Sequence, residues 1–283
     1  RSTLFPYTTL FRSLELDNRG KMNFEKIVEA IERVAPPELA EEWDNSGVQI
    51  GFGNQEIKKI LFCLDITEDV ITEAIEEGCQ MIVSHHPLIF NPVFSIDEKL
   101  YGVPGIVSHY INLLIKNNIS VYSAHTSFDN APKGNNYFLA SIMDLKDVTD
   151  PADPSHIGVK GALKIKTDIS CVVKKLEDVL NLPKGYVRCT GNRDIEVSKI
   201  AVCTGAGGDF LKDPFIEDCD MLITGDVKLN QAMESNAMGI AIADAGHFGT
   251  EQIFARNIIE LLKKENIEVE MRETTVNTNP YMV

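Results

Sequence analysis

The strongest constraint on the fold is a segment that the chain carries twice. KILFC at Lys59–Cys63 matches KIAVC at Lys199–Cys203, and the same offset continues without a gap until His86 lies over Asp226. Because the match preserves the order strand, helix, strand, it indicates two related halves. The identical pairs are Lys59/Lys199, Ile60/Ile200, Cys63/Cys203, Asp69/Asp209, Glu77/Glu217, Cys79/Cys219 and Met81/Met221.

Short apolar runs alternate with stretches of helical spacing along both halves. Apolar residues from Phe24 to Val34 recur with a helical period, and Pro36 and Pro37 end that segment. The apolar runs read as buried strands, and the alternation favours an α/β fold with largely parallel sheets. The predicted strands are Ile60–Leu64, Met81–Ser84, Ile119–Ala124, Lys199–Cys203, Met221–Thr224 and Ile240–Ala243.

We expect two α/β/α-layered halves with a metal site in the cleft between them. Residues 22–135 form the first half, 136–196 a connecting segment that completes the sheets, and 197–283 the second half. Residues 1–21 are expected to be a non-native leader. They resemble the translation of a sequencing adapter and lack the cleavage site of a signal peptide, and Met22 is a better native start.

Charge and cysteine content narrow the classes of function. The 283 residues include 27 basic and 42 acidic ones, a formal charge of −15, which disfavours direct binding to nucleic acid or anionic membranes. No apolar run is long enough to suggest a membrane span. The 6 cysteines form no CxxC pair and are expected to be buried free thiols, so we expect a cytoplasmic protein.

Histidines and carboxylates follow several of the predicted strands. His85-His86 end one apolar run; His125 with Asp129, and His247 with Glu251, follow two others. Neighbouring side chains on a strand point to opposite faces, so His85 and His86 can share a site only if the strand has stopped, as the next residue, a proline, suggests.

Imidazole and carboxylate ligands without a nearby thiolate suit zinc, manganese, iron or cobalt. Five or six such ligands exceed the needs of one catalytic zinc but suffice for two cations that share a carboxylate. A strand-end histidine is also commonly a simple polar terminator, which is how we interpret His109 and His156. An HxxxE pair at a helix start can equally be a solvated face.

The chain resembles the Ngg-interacting-factor-three-like family, whose members are also called GTP cyclohydrolase I type 2 homologues. The similarity runs from about Met22 to the C-terminal strand. Five stretches carry it: EEWDNSGVQIG (Glu41–Gly51), SHHPLIF (Ser84–Phe90), SAHTSFDNAPKGNN (Ser123–Asn136), ITGDVK (Ile223–Lys228) and DAGHFGTEQI (Asp244–Ile253).

The resemblance implies two related α/β domains with a dinuclear centre of two divalent ions per subunit. It also implies a toroidal homohexamer, and this chain matches the short form of the family. By motif the metal ligands are His85, His86, Asp129, His247 and Glu251, with Glu251 bridging. His125 would lie beside the metals as a support or proton carrier. One departure is Asn230, which stands where many relatives have histidine.

Three functional hypotheses follow. The first is a metal-dependent hydrolase acting on a nucleotide or phosphoester-type anion, with Glu251 and His125 as catalytic residues and His125 moving a proton. The glycine-rich segment Cys203–Phe210 could hold a phosphate through its amides or be only a tight turn. The second is a non-catalytic metal-binding, trafficking or scaffold protein with the same ligands. The third, an adaptor that binds protein partners, rests only on the family's name.

Overall fold

The structure, a computed structural model, describes residues 22–97, 99–100, 102–151, 157–191 and 195–281. The expected leader, residues 1–21, lies outside this described part. Within it the chain forms two sheets with helices packed on them, so the α/β prediction is confirmed. None of the described helices is long and apolar enough to cross a membrane.

The first sheet has five strands in the order β1-β4-β3-β2-β11. Strands β2, β3, β4 and β11 run parallel, and β1 lies antiparallel at the edge against β4. Their bounds are β1 Gly47–Ile50, β2 Lys59–Cys63, β3 Met81–Ser84, β4 Ser120–Ser123 and β11 Glu270–Glu273, and the helices packed on them are α1 Phe24–Val34, α2 Glu68–Glu76, α3 Val103–Lys116 and α9 Phe254–Leu262.

Both faces of this sheet are covered because its strands alternate between two apolar cores. Ile60 and Phe62 of β2 belong to the core that includes α1 and α9. Leu61 and Cys63 of the same strand belong to the core that includes α2 and α3. This alternation has the period of two residues that a strand imposes. It yields the three-layered arrangement expected for parallel strands.

The second sheet has six strands in the order β5-β6-β8-β9-β10-β7. Its three central strands β8, β9 and β10 run parallel, and the others are antiparallel to their neighbours. The bounds are β5 Lys146–Thr149, β6 Val159–Asp168, β7 Arg188–Cys189, β8 Glu196–Val202, β9 Met221–Thr224 and β10 Ala241–Asp244, with helices α5 Asn135–Ile142, α6 Ile169–Val179 and α7 Leu229–Met238.

The internal repeat corresponds to an equal arrangement of strands in the two sheets. In the first sheet β2, β3 and β4 are consecutive neighbours, and in the second β8, β9 and β10 are. The sequence offset places β2 over β8 and β3 over β9. The boundaries of the two halves stay a prediction; we note that β11, from the C-terminal part of the chain, pairs with β2 of the first sheet.

The cysteines differ in part from the expectation that all are buried. All six are free thiols, but Cys171 and Cys189 are exposed. Cys171 lies in the first turn of α6, and Cys189 ends the two-residue strand β7 at the edge of the second sheet. Apolar neighbours in sequence therefore did not predict burial at these two positions.

Candidate metal centre

The paired histidines and their carboxylate partners meet beyond the carboxyl ends of strands from both sheets. His85 and His86 follow β3, and His125 follows β4 at the start of the short helix α4, Thr126–Asp129. From the second sheet, α8, His247–Glu251, follows β10 after two residues. The carboxyl ends of parallel strands are the usual place for sites in open α/β sheets. Here the two sheets present such ends to each other.

One candidate cation position lies deep in the cleft. Nε2 of His85 lies 3.5 Å from Oδ2 of Asp129 and 3.6 Å from Oε1 of Glu251. All three side chains are buried, and the Nε2 atom has no hydrogen-bond partner. Two ligands that bind one ion at about 2.1 Å in tetrahedral geometry stand roughly 3.4 Å apart. The spacing therefore suits a shared cation.

A second candidate position adjoins the first through the other oxygen of the same glutamate. Oε2 of Glu251 lies 3.0 Å from Nε2 of His86 and 3.0 Å from Nε2 of His247. The two histidine nitrogens are 3.3 Å apart. Three electron-rich atoms this close repel one another unless a proton or a metal cation lies among them. The divergent oxygens of Glu251 are what a bridging carboxylate requires.

The second ring nitrogen of each histidine is fixed by an acceptor outside the cleft. A carbonyl or carboxylate oxygen accepts a hydrogen bond from Nδ1–H, which leaves the lone pair of a neutral ring on Nε2. This tautomer is the one that directs Nε2 toward a metal. The acceptors are the Ala124 carbonyl for His85 (2.8 Å), Asp65 for His86 (2.7 Å), Asp44 for His125 (2.8 Å) and Asp226 for His247 (2.9 Å).

When no metal is bound, the carboxylates of the cleft strengthen the binding of protons by these imidazoles. Burial would lower the pKa of His86, but hydrogen bonds with Asp65 and Glu251 raise it to about 10. Burial would also lower the pKa of His247, but the interactions with Glu251 and Asp226 outweigh it and raise the pKa to about 9. The pKa of Glu251 is held well below its ordinary value, against the effect of burial, by the surrounding histidines. The cleft therefore attracts positive charge.

A glycine makes room for the shared carboxylate. Gly205 follows β8 with a φ of +70°, and a Cβ atom built there would lie 2.3 Å from Oε1 of Glu251. Its amide donates to Oγ1 of Thr250, on the same helix as Glu251. In the same segment, Cβ atoms at Gly207 and Gly208 would collide with the side chains of Cys203 and Gln231. Close packing therefore explains the glycine-rich sequence, with phosphate binding left as a prediction.

The predicted site residues fall into three overlapping groups in the described part of the chain. All five predicted ligands belong to these groups, whose candidate ligand atoms lie within 4.8 Å of one another. His125 also joins His85 and His86, so its geometry allows ligation as well as the supporting role predicted for it. The groups are His85/Asp129/Glu251, His86/His247/Glu251 and His85/His86/His125.

Two other predicted residues lie apart from these groups. Asn230 is exposed on the first turn of α7 and belongs to none of them. His109 lies on α3, with Nε2 3.6 Å from a carboxylate oxygen of Glu68, in keeping with its interpretation as an ordinary polar residue. His156 lies outside the described residues.

Residues that sequence reasoning missed support the histidines. Asp65 follows β2 and Asp226 follows β9, so each is a carboxylate at a strand end, the same signal that identified the ligands. In the repeat, moreover, Asp226 lies over His86. Asp44 accepts hydrogen bonds from His125, Ser46 and Thr126, which hold its pKa well below the usual range despite burial.

The fold and the site define a two-sheet α/β protein whose strand ends form a histidine and carboxylate cluster able to hold metal. A sequence model described as Duf34/NIF3 (NGG1p interacting factor 3) matches residues 22–280. The chain belongs to this family.

Curated relatives and solved structures agree with this assignment. A Helicobacter pylori protein named GTP cyclohydrolase 1 type 2 is 33% identical over 241 residues, 85% of this chain and 92% of that protein. A Campylobacter jejuni protein named as a homolog of that enzyme is 33% identical over 260 residues, 92% of this chain and 99% of its own length. The crystal structure of a Bacillus cereus protein related to NIF3 superposes with a TM-score of 0.84 at 22% identity, covering 93% of this chain and 99% of that one. This last likeness concerns the fold.

Proposed function

We propose that this protein is a metal-dependent hydrolase that holds two divalent cations and acts on a nucleotide or phosphoester-type anion. His85, Asp129 and Glu251 would hold one cation, and His86, His247 and Glu251 the other. The observation that carries the proposal is the buried Nε2 of His85, which has no hydrogen-bond partner and lies between two carboxylates. Such an atom is costly to bury unless a ligand completes its coordination.

The chemistry divides between the cations and the chain. Zinc, manganese, iron or cobalt held here would supply Lewis acidity and would make a coordinated water more acidic. Asp129 is itself fixed, because Nδ2 of the Asn135 side chain donates to its Oδ1 at 3.1 Å. The oxygen atoms that accept hydrogen bonds from Nδ1 hold the histidine rings in their orientations, so little reorganisation is needed when a cation binds.

His125 would move the proton. Asp44 fixes Nδ1 of His125, which directs Nε2 toward the pocket beside His85 and His86, at ring-centroid distances of 5.2 and 5.4 Å. The side chain is 14% exposed, so solvent can exchange protons with it. An imidazole nitrogen can accept a proton from water and deliver it to a leaving group.

An anionic substrate is proposed on two grounds. Cations in the cleft would attract an anion despite the acidic surface of the protein, and the curated relatives are named after GTP cyclohydrolase 1 type 2. Hydrolytic opening of a purine ring is compatible with a metal-activated water. So is attack on a phosphoester.

The test separates metal binding from catalysis. Wild-type protein, Glu251→Gln, His125→Asn and the surface control His109→Asn are purified and reloaded with each candidate metal. Bound metal is measured by mass spectrometry, and hydrolysis of GTP and of a generic phosphodiester is followed. We expect Glu251→Gln to lose metal and activity. His125→Asn should keep its metal but hydrolyse on the order of a hundredfold more slowly.

The rival function, a non-catalytic metal-binding or trafficking protein, predicts a different outcome. Wild-type protein would then bind metal, but neither it nor any variant would hydrolyse GTP or the phosphodiester faster than the uncatalysed background. Equal rates in wild type and Glu251→Gln, both metal-loaded, would also remove the catalytic proposal. If wild-type protein binds no transition metal, both functions fall.

We also propose that copies of this chain assemble into a homohexamer in the cytoplasm. The exposed apolar side chains of Phe94 and Val103, which are 95% and 70% exposed, support self-association. The six free thiols favour a reducing compartment. Light scattering coupled to size-exclusion chromatography measures the molar mass, and a monomer at working concentrations would contradict the assembly.

A further inference from the structure

Two large aromatic side chains stand at the rim of the pocket that contains the candidate metal ligands. The pocket has a volume of about 400 Å³, and its wall includes His86, His125 and Glu251 together with Trp43 and Phe90. Trp43 is 59% and Phe90 50% exposed. The two ring centroids are 6.2 Å apart and the ring planes are tilted by 45°, so the two rings do not stack on each other. Both therefore offer apolar surface to the pocket.

The two segments that carry these rings are joined by hydrogen bonds. Nδ2 of the Asn45 side chain donates to the carbonyl of Ile89 at 2.5 Å, and Oε1 of Gln49 accepts from the backbone amide of Ile89 at 3.0 Å. The residue before Phe90 is thus held on both sides by the segment that follows Trp43. Such cross-linking preorganises a binding surface and lowers the entropic cost of binding.

The rings also adjoin the residue proposed to move protons. The Trp43 ring lies 5.9 Å from the ring of His125 in an edge-to-face arrangement, and the Phe90 ring lies 6.5 Å from it. Asp44, next to Trp43 in sequence, bonds to His125 and to Thr126. The aromatic surface and the candidate catalytic side chain are therefore parts of one hydrogen-bonded unit.

We propose that Trp43 and Phe90 form a subsite that binds a planar heteroaromatic ring of the substrate, such as a nucleobase, beside His125. This inference rests on the proposed function and narrows its substrate to ring-bearing molecules. An exposed pair of aromatic rings that do not stack on each other favours stacking with a flat partner, and such stacking tolerates many ring types. The remainder of the ligand, including any phosphate, would then lie toward His86, His247 and Glu251, which line the same pocket.

The chain offers a direct probe of this subsite, because Trp43 is its only tryptophan. Intrinsic fluorescence of metal-loaded protein is titrated with guanosine, which has a ring and no phosphate, and with ribose 5-phosphate, which has a phosphate and no heteroaromatic ring. The same titrations are run on Phe90→Leu and on Tyr281→Leu, an exposed aromatic that does not line the pocket. Calorimetric titration of Trp43→Leu with guanosine replaces fluorescence for that variant.

We expect guanosine, and not ribose 5-phosphate, to quench the fluorescence to saturation. Phe90→Leu and Trp43→Leu should each weaken guanosine binding on the order of tenfold, while Tyr281→Leu matches wild type. Absence of saturable quenching by guanosine, or unchanged affinity in both pocket variants, overturns the subsite. Because binding is read without turnover, guanosine binding with no hydrolysis would leave the subsite standing and remove only the hydrolytic proposal.

Discussion

Nε2 of His86 lies 3.0 Å from Oε2 of Glu251, although 165 residues separate them in the chain. His86 follows a strand of the first sheet and Glu251 ends the helix that follows a strand of the second. The contact therefore exists only when both sheets are formed and correctly placed. Because the side chains that would hold the cations come from both sheets, cation binding requires the two sheets to be correctly placed. A cation that binds only the folded state also stabilises that state.

Replacing Gly205 by alanine should displace the shared carboxylate. The new Cβ would lie 2.3 Å from Oε1 of Glu251, and the residue has a φ of +70°. The matched control is Gly239→Ala, which has a φ of +76° and open space around the Cβ position. Gly239→Ala should lose about 1 kcal/mol of unfolding free energy through its backbone conformation, and Gly205→Ala should lose more because of the added collision. Only Gly205→Ala should lose at least about tenfold in cation affinity, measured calorimetrically; equal affinities would contradict the role given to Glu251.

The carboxylates that accept hydrogen bonds from Nδ1 of His86 and His247 should affect the affinity for one cation and leave the affinity for the other unchanged. Asp65→Asn and Asp226→Asn replace the charged partners of His86 and His247, which share a candidate position, by neutral amides and leave His85 and Asp129 untouched. We expect a 10- to 100-fold weaker affinity for one cation only, as is typical of such outer partners. Asp218→Asn, which removes a similarly exposed carboxylate paired with Lys199, is the control. A loss shared by both cations would show that the two positions are not separable.

Cation binding near neutral pH should release protons. The raised pKa values of His86 (about 10) and His247 (about 9) mean that these rings are charged in the metal-free protein. Their contribution to metal-free stability is fully present below the ordinary pKa of 6.5 and is lost as pH rises through 9 to 10. A cation must displace those protons, so its affinity should rise with pH up to that range.

Calorimetry in buffers of different ionisation heat measures this release. The apparent binding enthalpy should depend on the buffer near neutral pH, and the dependence should fade as pH approaches 10. The Asp65→Asn variant serves as the comparison, because a lower pKa at His86 reduces the number of protons released. An enthalpy independent of the buffer near neutral pH would contradict the charge state assigned to these histidines.

The sequence predicted those features of the structure that leave a pattern in neighbouring residues, and not those that depend on contacts between distant residues. Buried strands such as Met81–Ser84 and Met221–Thr224 were predicted at their observed bounds because both faces are covered, which makes the run continuously apolar. The edge strand Glu270–Glu273 was not among the strands predicted from apolar runs: it is largely exposed and polar, and only its pairing with β2 defines it. Asp65 was missed for a related reason. An aspartate at a strand end is ordinary, and its meaning comes from the imidazole that the fold places 2.7 Å away.

The last prediction concerns Phe254, whose helix α9 follows the second sheet in sequence and packs into the core of the first. Its ring lies 4.9 Å from the ring of His85 and 5.3 Å from that of Phe128, and it is fully buried. Phe254→Leu should therefore destabilise the protein by about 1–3 kcal/mol and also release His85 from its fixed orientation.

Phe62→Leu, at a fully buried position of the same core, controls for the loss of stability. Denaturant unfolding is measured with and without a divalent cation for both variants. We expect similar losses without metal, but a smaller stabilisation by the cation for Phe254→Leu, because an imidazole that is free to rotate no longer presents Nε2 to the ion. If the cation stabilises both variants as much as wild type, Phe254 serves the core alone and His85 is held by its bond to the Ala124 carbonyl.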